Sequence, residues 1–327
     1  MTKEFWFQKN VMVTGGTGLL GAWTVEQLIA NGANVTVLLR DIVPTSMFFE
    51  KGLDKKVNVA RGELEDYFAI ERTMNEYEID TVFHFGAQAI VGTANRSPMG
   101  TFKSNVEGTW NLMEAARNSV LVKRIVVASS DKAYGEQEKL PYTEDAPLKG
   151  RHPYDVSKSC ADLIAQAYFH TYGLPVCVAR CGNLYGPGDL NFNRIIPGTI
   201  RSILLGERPI IRSDGTYIRD YLYVKDAADA YVTMAENMKR KEIVGEAFNF
   251  STTNKITVLD MVKLILKTMD SKLEPLILNE AKGEIKHQYL STEKASRMFG
   301  WVAKYSLDQG LKETVPWYAN YIRKHVG

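Results

Sequence analysis

Short apolar runs alternate with stretches of helical periodicity through the first half of the chain. The apolar runs predict buried strands near 10–14, 34–39, 57–60, 81–85, 124–128 and 176–179, and helical patterns cover 19–31, 68–77, 100–118 and 155–172. Continuous apolar strands separated by helices are typical of a parallel sheet that is covered on both faces. We therefore predict an α/β protein with a Rossmann-type, doubly wound parallel sheet.

From about residue 183 the chain becomes rich in loops, and one further helical pattern covers 257–269. An apolar run at 247–250 predicts another buried strand. We predict a Rossmann domain over 1–182, a smaller C-terminal lobe over 183–327, and a strand near 245–251 that returns to the main sheet.

Composition narrows the class of protein. The 327 residues carry a net charge of +2, which argues against electrostatic binding of nucleic acid. The three cysteines form no Cys-x-x-Cys pair, which predicts a reducing compartment, and neither they nor the five histidines have the spacing of metal ligands. No apolar run approaches the ~20 residues of a membrane span. We expect a cytoplasmic protein without a metal, a membrane or a nucleic-acid partner.

A glycine loop, Gly15-Gly-Thr-Gly18-Leu-Leu-Gly21, follows the first predicted strand and opens the first predicted helix. In a dinucleotide-binding loop, the first glycine permits a tight turn, the second lets a pyrophosphate approach the backbone, and the third lets the helix pack on the sheet. The helix N-terminus then offers N–H groups to the phosphates. The alternative is a purely structural turn, but the position between strand and helix favours a dinucleotide site.

The end of the second strand bears on the choice of dinucleotide. A carboxylate there accepts a hydrogen bond from the ribose 2′-hydroxyl of NAD, whereas an arginine pairs with the 2′-phosphate of NADP. The chain has both residues, Arg40 and Asp41. We favour NAD through Asp41 and leave NADP open through Arg40.

Tyr154 and Lys158 lie four residues apart on a predicted helix, so their side chains point to the same side. An ammonium beside a phenol lowers the pKa of the phenol, which can then take a proton from an alcohol while a nicotinamide takes the hydride. The segment Ser129-Ser-Asp-Lys132 follows a strand at the sheet edge where ligands bind in such folds. Its two ionisable residues indicate acid–base chemistry beyond hydride transfer. The alternative interpretation of Asp131 and Lys132 is a salt bridge in a surface loop.

Two other polar residues have competing interpretations. His84 lies inside an apolar strand, which is more typical of a packed core histidine than of a catalyst. Arg219 lies in the loop-rich second half, where its planar fork could clamp a diphosphate. A structural ion pair with a neighbouring Asp is the alternative for Arg219.

Taken together, these motifs resemble the nucleotide-sugar 4,6-dehydratases and epimerases of the extended short-chain dehydrogenase/reductase superfamily, and most of all CDP-glucose 4,6-dehydratases. The similarity runs from about residue 10 to about residue 230, and the segments that carry it are 41–50, 82–88, 101–109, 130–132, 153–158 and 219–224. The Asp131-Lys132 pair is also similar to that of inverting UDP-N-acetylglucosamine 4,6-dehydratases. The short segment 135–147 is closer to epimerases.

The resemblance implies a catalytic set. Tyr154 would remove the proton of the sugar 4-hydroxyl, Lys158 would lower the pKa of Tyr154 and bind the nicotinamide ribose, and Ser130 would hydrogen-bond the same oxygen. Asp131 and Lys132 would be the acid and the base of water elimination. The residues implied for the substrate diphosphate are Asn183, Arg194 and Arg219. Those implied for the cofactor are Gly15, Thr17, Gly18, Leu19, Gly21, Arg40, Asp41, Glu63, Leu64, Gly86, Ala87, Gln88, Asn105, Tyr154 and Lys158.

The resemblance further implies an NAD(P)-dependent 4,6-dehydratase that converts a UDP- or CDP-sugar to a 4-keto-6-deoxy sugar, with inversion at C5 left open. A nucleotide-sugar epimerase, or a reductase-type step on a UDP-sugar intermediate, is the alternative. A cofactor-binding scaffold without catalysis is disfavoured because Tyr154 and Lys158 are both present. The lobe over 183–327 would mainly bind substrate, and helices 100–118 and 155–172 would pair two subunits of a homodimer in a four-helix bundle.

Overall fold

A computed structural model of the protein describes residues 3–281 and 284–325. The strands in chain order are β1 Asn10–Thr14, β2 Asn34–Leu39, β3 Asn58–Arg61, β4 Thr81–His84, β5 Arg124–Ala128, β6 Val176–Cys181, β7 Asn183–Tyr185, β8 Ile210–Ile211, β9 Ile218–Arg219, β10 Tyr221–Tyr223, β11 Ala247–Phe250, β12 Ile256–Thr257 and β13 Leu276–Ile277. The α-helices are α1 Lys3–Trp6, α2 Leu19–Ala30, α3 Met47–Glu50, α4 Tyr67–Glu76, α5 Val91–Arg96, α6 Pro98–Phe102, α7 Gly108–Asn118, α8 Pro153–Tyr172, α9 Ile195–Leu204, α10 Val224–Asn237, α11 Val258–Thr268, α12 Glu293–Phe299 and α13 Leu307–His325.

The main sheet has seven parallel strands in the order β3-β2-β1-β4-β5-β6-β11. The chain runs outward from β1 to β3 and then crosses back to β4, so the strand order reverses between β1 and β4. In open sheets of this kind, ligands bind at the carboxyl ends of the strands beside such a reversal. The predicted doubly wound Rossmann-type sheet is confirmed, and the strand predicted near 245–251 joins it as β11 beside β6.

Helices bury both faces of the sheet. Apolar side chains of α2 and α10 pack on one face, and those of α4, α7 and α8 pack on the other. Helix α10 lies beyond residue 183 yet covers the sheet, so segments on both sides of the predicted boundary build this layer. The division at 182/183 stays a prediction.

The second half of the chain also forms a smaller layer beside the carboxyl end of the sheet. Its core contains buried side chains of α9, α11 and α13, packed around Tyr185 and Tyr223. Short strand pairs, β7 with β10, β9 with β12 and β8 with β13, connect this layer. Across residues 3–281 and 284–325, no helix combines the length and the apolarity needed to cross a bilayer.

The helical stretch predicted over 100–118 is present, but it is not one continuous α-helix. Helix α6 passes into a π-helical turn, Lys103–Glu107, before α7 begins. The buried Asn105 side chain explains the wider turn, because it accepts from Gln88 N at 2.6 Å and donates to Ser157 Oγ at 2.9 Å. π-Turns inside α-helices are frequent at functional sites, and this one joins β4, α7 and α8 at the sheet edge.

Candidate active site

The glycine loop at the N-terminus of α2 leaves no room for side chains. Gly15 has φ +69°, and a Cβ atom built on it would lie 2.7 Å from Gly86 N. A Cβ on Gly21 would lie 2.1 Å from Gly15 O, so the helix packs directly on the loop. Gly18 stands at the N-cap of α2 and has no side chain to cover the first N–H groups. These features fit a pyrophosphate held by backbone N–H groups.

Gly21→Ala provides a test of this packing. The added methyl group would overlap Gly15 O, and overpacking of this kind costs about 1–3 kcal/mol of unfolding free energy. We expect a lower melting temperature and a loss of dinucleotide binding, measured by thermal denaturation and calorimetric titration. Gly92→Ala is the control, since its Cβ would approach no described heavy atom closer than 3.6 Å. Dinucleotide binding by Gly21→Ala at wild-type affinity would contradict the assignment.

The other residues predicted for the cofactor lie around the same edge. Arg40 and Asp41 follow β2 and form an exposed ion pair with each other, Nε to Oδ2 at 2.6 Å. Glu63 is exposed, and Leu64 is buried against Gly86. Thr17, Ala87 and Gln88 are half-buried in the loops after β1 and β4, and Leu19 is half-buried as the first residue of α2.

A directed chain of hydrogen bonds links the glycine loop to the π-turn through His84. Phe85 N and Gly86 N donate to Thr14 Oγ1 at 3.1 and 3.0 Å, which uses both lone pairs, so the Thr14 hydroxyl donates to His84 Nδ1 at 2.9 Å. The Thr109 hydroxyl donates to Asn105 O at 2.6 Å, so its oxygen accepts from His84 Nε2 at 3.2 Å. Burial, and then the charge of a nearby lysine, lower the pKa of His84 to about 3. His84 is therefore a neutral, fully hydrogen-bonded core residue, as predicted.

The candidate base, Tyr154, lies at the start of α8 with its phenol hydrogen-bonded to Ser130. Burial raises the pKa of Tyr154 to about 12, and the charge of Arg194 and the Ser130 hydrogen bond oppose that rise. Lys158 donates instead to Ala128 O at 2.8 Å, and burial lowers its own pKa to about 8. In the structure Arg194 is the cation whose charge acts on the phenol, and the effect of Lys158 on the pKa of Tyr154 stays a prediction.

The candidate acid and base for elimination point in different directions. Asp131 is 2% exposed, and its Oδ1 accepts from Ser130 Oγ at 3.1 Å. Burial raises the pKa of Asp131, although the charge of Lys132 opposes the rise. Lys132 donates to Gln288 Oε1 at 3.3 Å. Both residues belong to the described part of the chain, and their side chains hydrogen-bond to different partners, Ser130 for Asp131 and Gln288 for Lys132.

The residues predicted for the diphosphate have separate partners. Arg194 pairs with Asp189 Oδ2 at 3.0 Å, and its charge reaches Tyr154. Asn183 donates to Asp220 O at 3.3 Å. Arg219 is buried and pairs with Glu284 Oε2 at 3.4 Å, so it makes an ion pair with a distant Glu and not with the neighbouring Asp that the sequence suggested.

Two functional candidates were missed by the sequence analysis. Gln288 reaches Lys132 from a segment 156 residues further along the chain, and nothing in the local sequence marks it. Asp220 accepts hydrogen bonds from Ser251 Oγ and Leu290 N, and burial raises its pKa to about 6. Asp220 could have been noticed because it directly follows Arg219 in the sequence. It was considered there only as a possible ion-pair partner of that arginine.

Comparisons with known proteins agree with this geometry. The family model described as GDP-mannose 4,6 dehydratase matches residues 12–314. A CDP-glucose 4,6-dehydratase of Salmonella typhimurium is 29% identical over 98% of this chain and 93% of its own length. A UDP-glucose 4-epimerase of Thermotoga maritima, solved with UDP-glucose, is 30% identical with a TM-score of 0.87, covering 97% of this chain and 100% of its own.

A dTDP-glucose 4,6-dehydratase of Bacillus anthracis, solved in complex with NAD, is 27% identical with a TM-score of 0.85 and covers 96% of this chain and 98% of its own. Dehydratases and epimerases that act on nucleotide sugars therefore share both the sequence and the fold of this protein. Because the family match spans nearly the whole sheet and the layer beside it, the chain belongs to the GDP-mannose 4,6 dehydratase family of nucleotide-sugar dehydratases and epimerases.

Proposed function

We propose that the protein is an NAD-dependent nucleotide-sugar 4,6-dehydratase that acts on a CDP- or UDP-hexose. The observation that carries the proposal is Asp131, a buried acid whose pKa is raised, next to Lys132 and to the Ser130–Tyr154 pair. Exchange of hydride and proton at C4 needs only Tyr154 and Ser130. An additional acid and base beside them supply what elimination of water requires.

Bound NAD supplies a hydride acceptor for C4 and later the same hydride for C6. In its phenolate form, which the charge of Arg194 favours against the effect of burial, Tyr154 takes the proton of the 4-hydroxyl while Ser130 hydrogen-bonds that oxygen. The resulting ketone acidifies the hydrogen at C5, which Lys132 removes in its neutral form. Asp131 gives its proton to the departing C6 hydroxyl, so that water leaves. Lys132 finally returns a proton to C5, with retention or inversion set by the face that it serves.

The residues around the glycine loop support a resident NAD. Backbone N–H groups at Gly18 and the start of α2 suit the pyrophosphate, and Asp41 suits the ribose 2′-hydroxyl. NAD is favoured over NADP because the dTDP-glucose 4,6-dehydratase of Bacillus anthracis was solved in complex with NAD, whereas the Arg40–Asp41 ion pair engages both side chains equally. Lys158, held beside the end of β5, suits the nicotinamide ribose.

Incubation with CDP-, UDP-, dTDP- and GDP-hexoses, without added NAD, tests the function. We expect one sugar nucleotide to lose the mass of one water and to give a 4-ketone, because the hydride returns to the same molecule. A product of unchanged mass with inverted configuration at C4 would instead identify a 4-epimerase. That second candidate is favoured by the similarity to the UDP-glucose 4-epimerase of Thermotoga maritima.

We further propose that the protein is a homodimer, paired through α6 and α7 together with α8. Large apolar side chains are exposed there: Met99 is 73% exposed, Trp110 is 45% exposed and Leu163 is 56% exposed. Exposed apolar residues grouped on neighbouring helices are typical of protein–protein contacts. On this proposal the enzyme consists of two identical subunits.

The variant Trp110→Asp/Leu163→Asp tests the dimer. We expect it to sediment as a monomer at micromolar concentration, since a charge in the centre of an apolar contact is left desolvated. Val302→Asp is the control, because Val302 is 61% exposed and its neighbours Trp301 and Ala303 pack with α2 and α10 on the opposite face of the sheet. A wild-type protein that sediments as a monomer would contradict the proposal.

A further inference from the structure

Gln288 has one hydrogen-bonded and one unused side-chain atom beside the candidate active site. The residue is 0% exposed, and its Oε1 accepts the hydrogen bond from Lys132 Nζ at 3.3 Å. Its Nε2 has no hydrogen-bond partner within the described ranges of the chain. Buried polar atoms are nearly always paired in proteins, so an unpaired buried N–H needs a physical reason.

The orientation of this amide follows from Lys132. Lys132 Nζ donates to Gln288 Oε1, as a neutral or a protonated amine can, so the carbonyl oxygen of Gln288 faces the amine and its NH2 group faces away. Backbone hydrogen bonds anchor the segment that carries Gln288. Gln288 N donates to Ile218 O at 3.1 Å, and two residues later Leu290 N donates to Asp220 Oδ2 at 3.2 Å. The hydrogen bond with Lys132 therefore orients the amide on an anchored segment.

Two residues that precede Lys132 in the chain also have buried polar atoms without a hydrogen-bond partner in the described part of the chain. These atoms are Ser129 Oγ and Asp131 Oδ2. A hydroxyl of Ser129, a carboxyl oxygen of Asp131 and the amide N–H of Gln288 are thus unsatisfied, on residues that precede Lys132 in the same segment or contact it. A ligand that both donates and accepts hydrogen bonds at short intervals, as a hexose does, would satisfy all three.

We propose that Gln288 positions Lys132 for its reaction at the sugar and donates its free N–H to an oxygen of the same sugar. The proposal rests on the proposed function, since it assigns Lys132 to the sugar. Lysine has a long flexible side chain, and a fixed acceptor at its end restricts the directions in which the amine can act. Holding a reacting group in place in this way contributes directly to rate.

A double-mutant cycle tests the coupling between the two residues. Gln288→Met removes both hydrogen bonds at similar volume, and we expect kcat to fall about 10- to 100-fold, as for a lost hydrogen bond to a charged group. In a Lys132→Met background, the same change should lower kcat no further, because the group that Gln288 positions is gone. Equal losses in both backgrounds would overturn the proposal.

Gln288→Glu separates the two roles. It keeps an oxygen towards Lys132 but replaces the N–H donor with an acceptor, so we expect KM for the sugar nucleotide to rise more than kcat falls. A purely structural role would not split the two constants in this way. Unchanged KM in Gln288→Glu would overturn the contact with the sugar.

A second measurement does not depend on turnover. Acetic anhydride at fixed pH labels lysines, and the extent at Lys132, relative to the exposed Lys103, is read by peptide mass spectrometry. We expect labelling of Lys132 to rise in Gln288→Met, where the amine is released, and to fall in Gln288→Glu, where a carboxylate pairs with it.

Gln137→Met is the matched control for the labelling. The amide of Gln137 donates to Tyr134 O at 2.8 Å and Pro147 O at 2.6 Å, and it does not contact Lys132. We expect labelling of Lys132 to stay at the wild-type level in this variant. Unchanged labelling in both Gln288 variants would overturn the positioning role. If no nucleotide sugar loses water, the proposed function fails, and the labelling comparison alone decides the role of Gln288.

Discussion

Replacing Tyr154 with Phe is expected to lower kcat by about 10²- to 10⁴-fold, the range for loss of a general base. The ring of Tyr154 is buried, and its hydroxyl has the Ser130 hydroxyl as its hydrogen-bonding neighbour. Ser130 keeps a second partner, Asp131 Oδ1 at 3.1 Å, so the substitution leaves no stranded donor. The fold and KM should therefore change little while the proton of the sugar hydroxyl loses its acceptor.

The measurement is steady-state product formation, together with thermal denaturation of the variant. Tyr168→Phe is the matched control on the same helix, because its hydroxyl donates to Glu114 Oε2 at 3.1 Å and lies away from the candidate site. Its kcat should equal that of the wild type. A Tyr154→Phe enzyme within a few-fold of wild-type kcat would rule out the phenol as the base and would remove the catalytic interpretation of α8.

Most of the sheet could be predicted because apolar runs record burial directly. Strands β1, β2, β4, β5 and β6 each coincide with a predicted run, and β11 was expected to return to the sheet. Parallel strands end at one edge, so loops that follow β1, β4 and β5 were expected to converge there. The contact between Ser130 and Tyr154 follows from this convergence of loops. Ser130 follows β5, and Tyr154 lies in the first turn of α8, the next α-helix along the chain.

The features that the sequence did not predict depend on contacts between distant segments of the chain. The π-turn forms because Asn105 bonds to Gln88 and Ser157, and helical periodicity alone does not reveal those partners. The direction of Lys158 is set by the carbonyl of Ala128, although spacing along the helix placed the lysine beside Tyr154. Periodicity gives the face of a helix from which a side chain emerges. It does not give the atom that the side chain meets.

The same limit explains why acid–base roles remain undetermined by sequence. Asp131 and Lys132 are adjacent, and adjacency suggests an ion pair. The structure instead directs Lys132 to Gln288 and buries Asp131. Burial disfavours the charged form of a carboxyl group and raises the pKa of Asp131, while the charge of Lys132 opposes that rise.

Asp131→Asn is expected to slow elimination of water by about 10²- to 10³-fold and to leave oxidation at C4 intact. Asparagine has nearly the shape of the protonated acid that burial favours at this position. Its Oδ1 can still accept the hydrogen bond of Ser130, but its amide has no proton to give to a departing hydroxyl. The variant therefore separates the shape of Asp131 from its acidity.

After the variant is mixed with the sugar nucleotide and then denatured, mass spectrometry should detect the C4-oxidised sugar that still carries its C6 hydroxyl. The wild type should give only the dehydrated ketone. Asp145→Asn is the control, since that carboxyl lies exposed in the loop after the same strand. Because a 4-epimerase never expels the C6 hydroxyl, unaltered turnover by Asp131→Asn with inversion at C4 would assign the protein to the epimerases and not to the dehydratases.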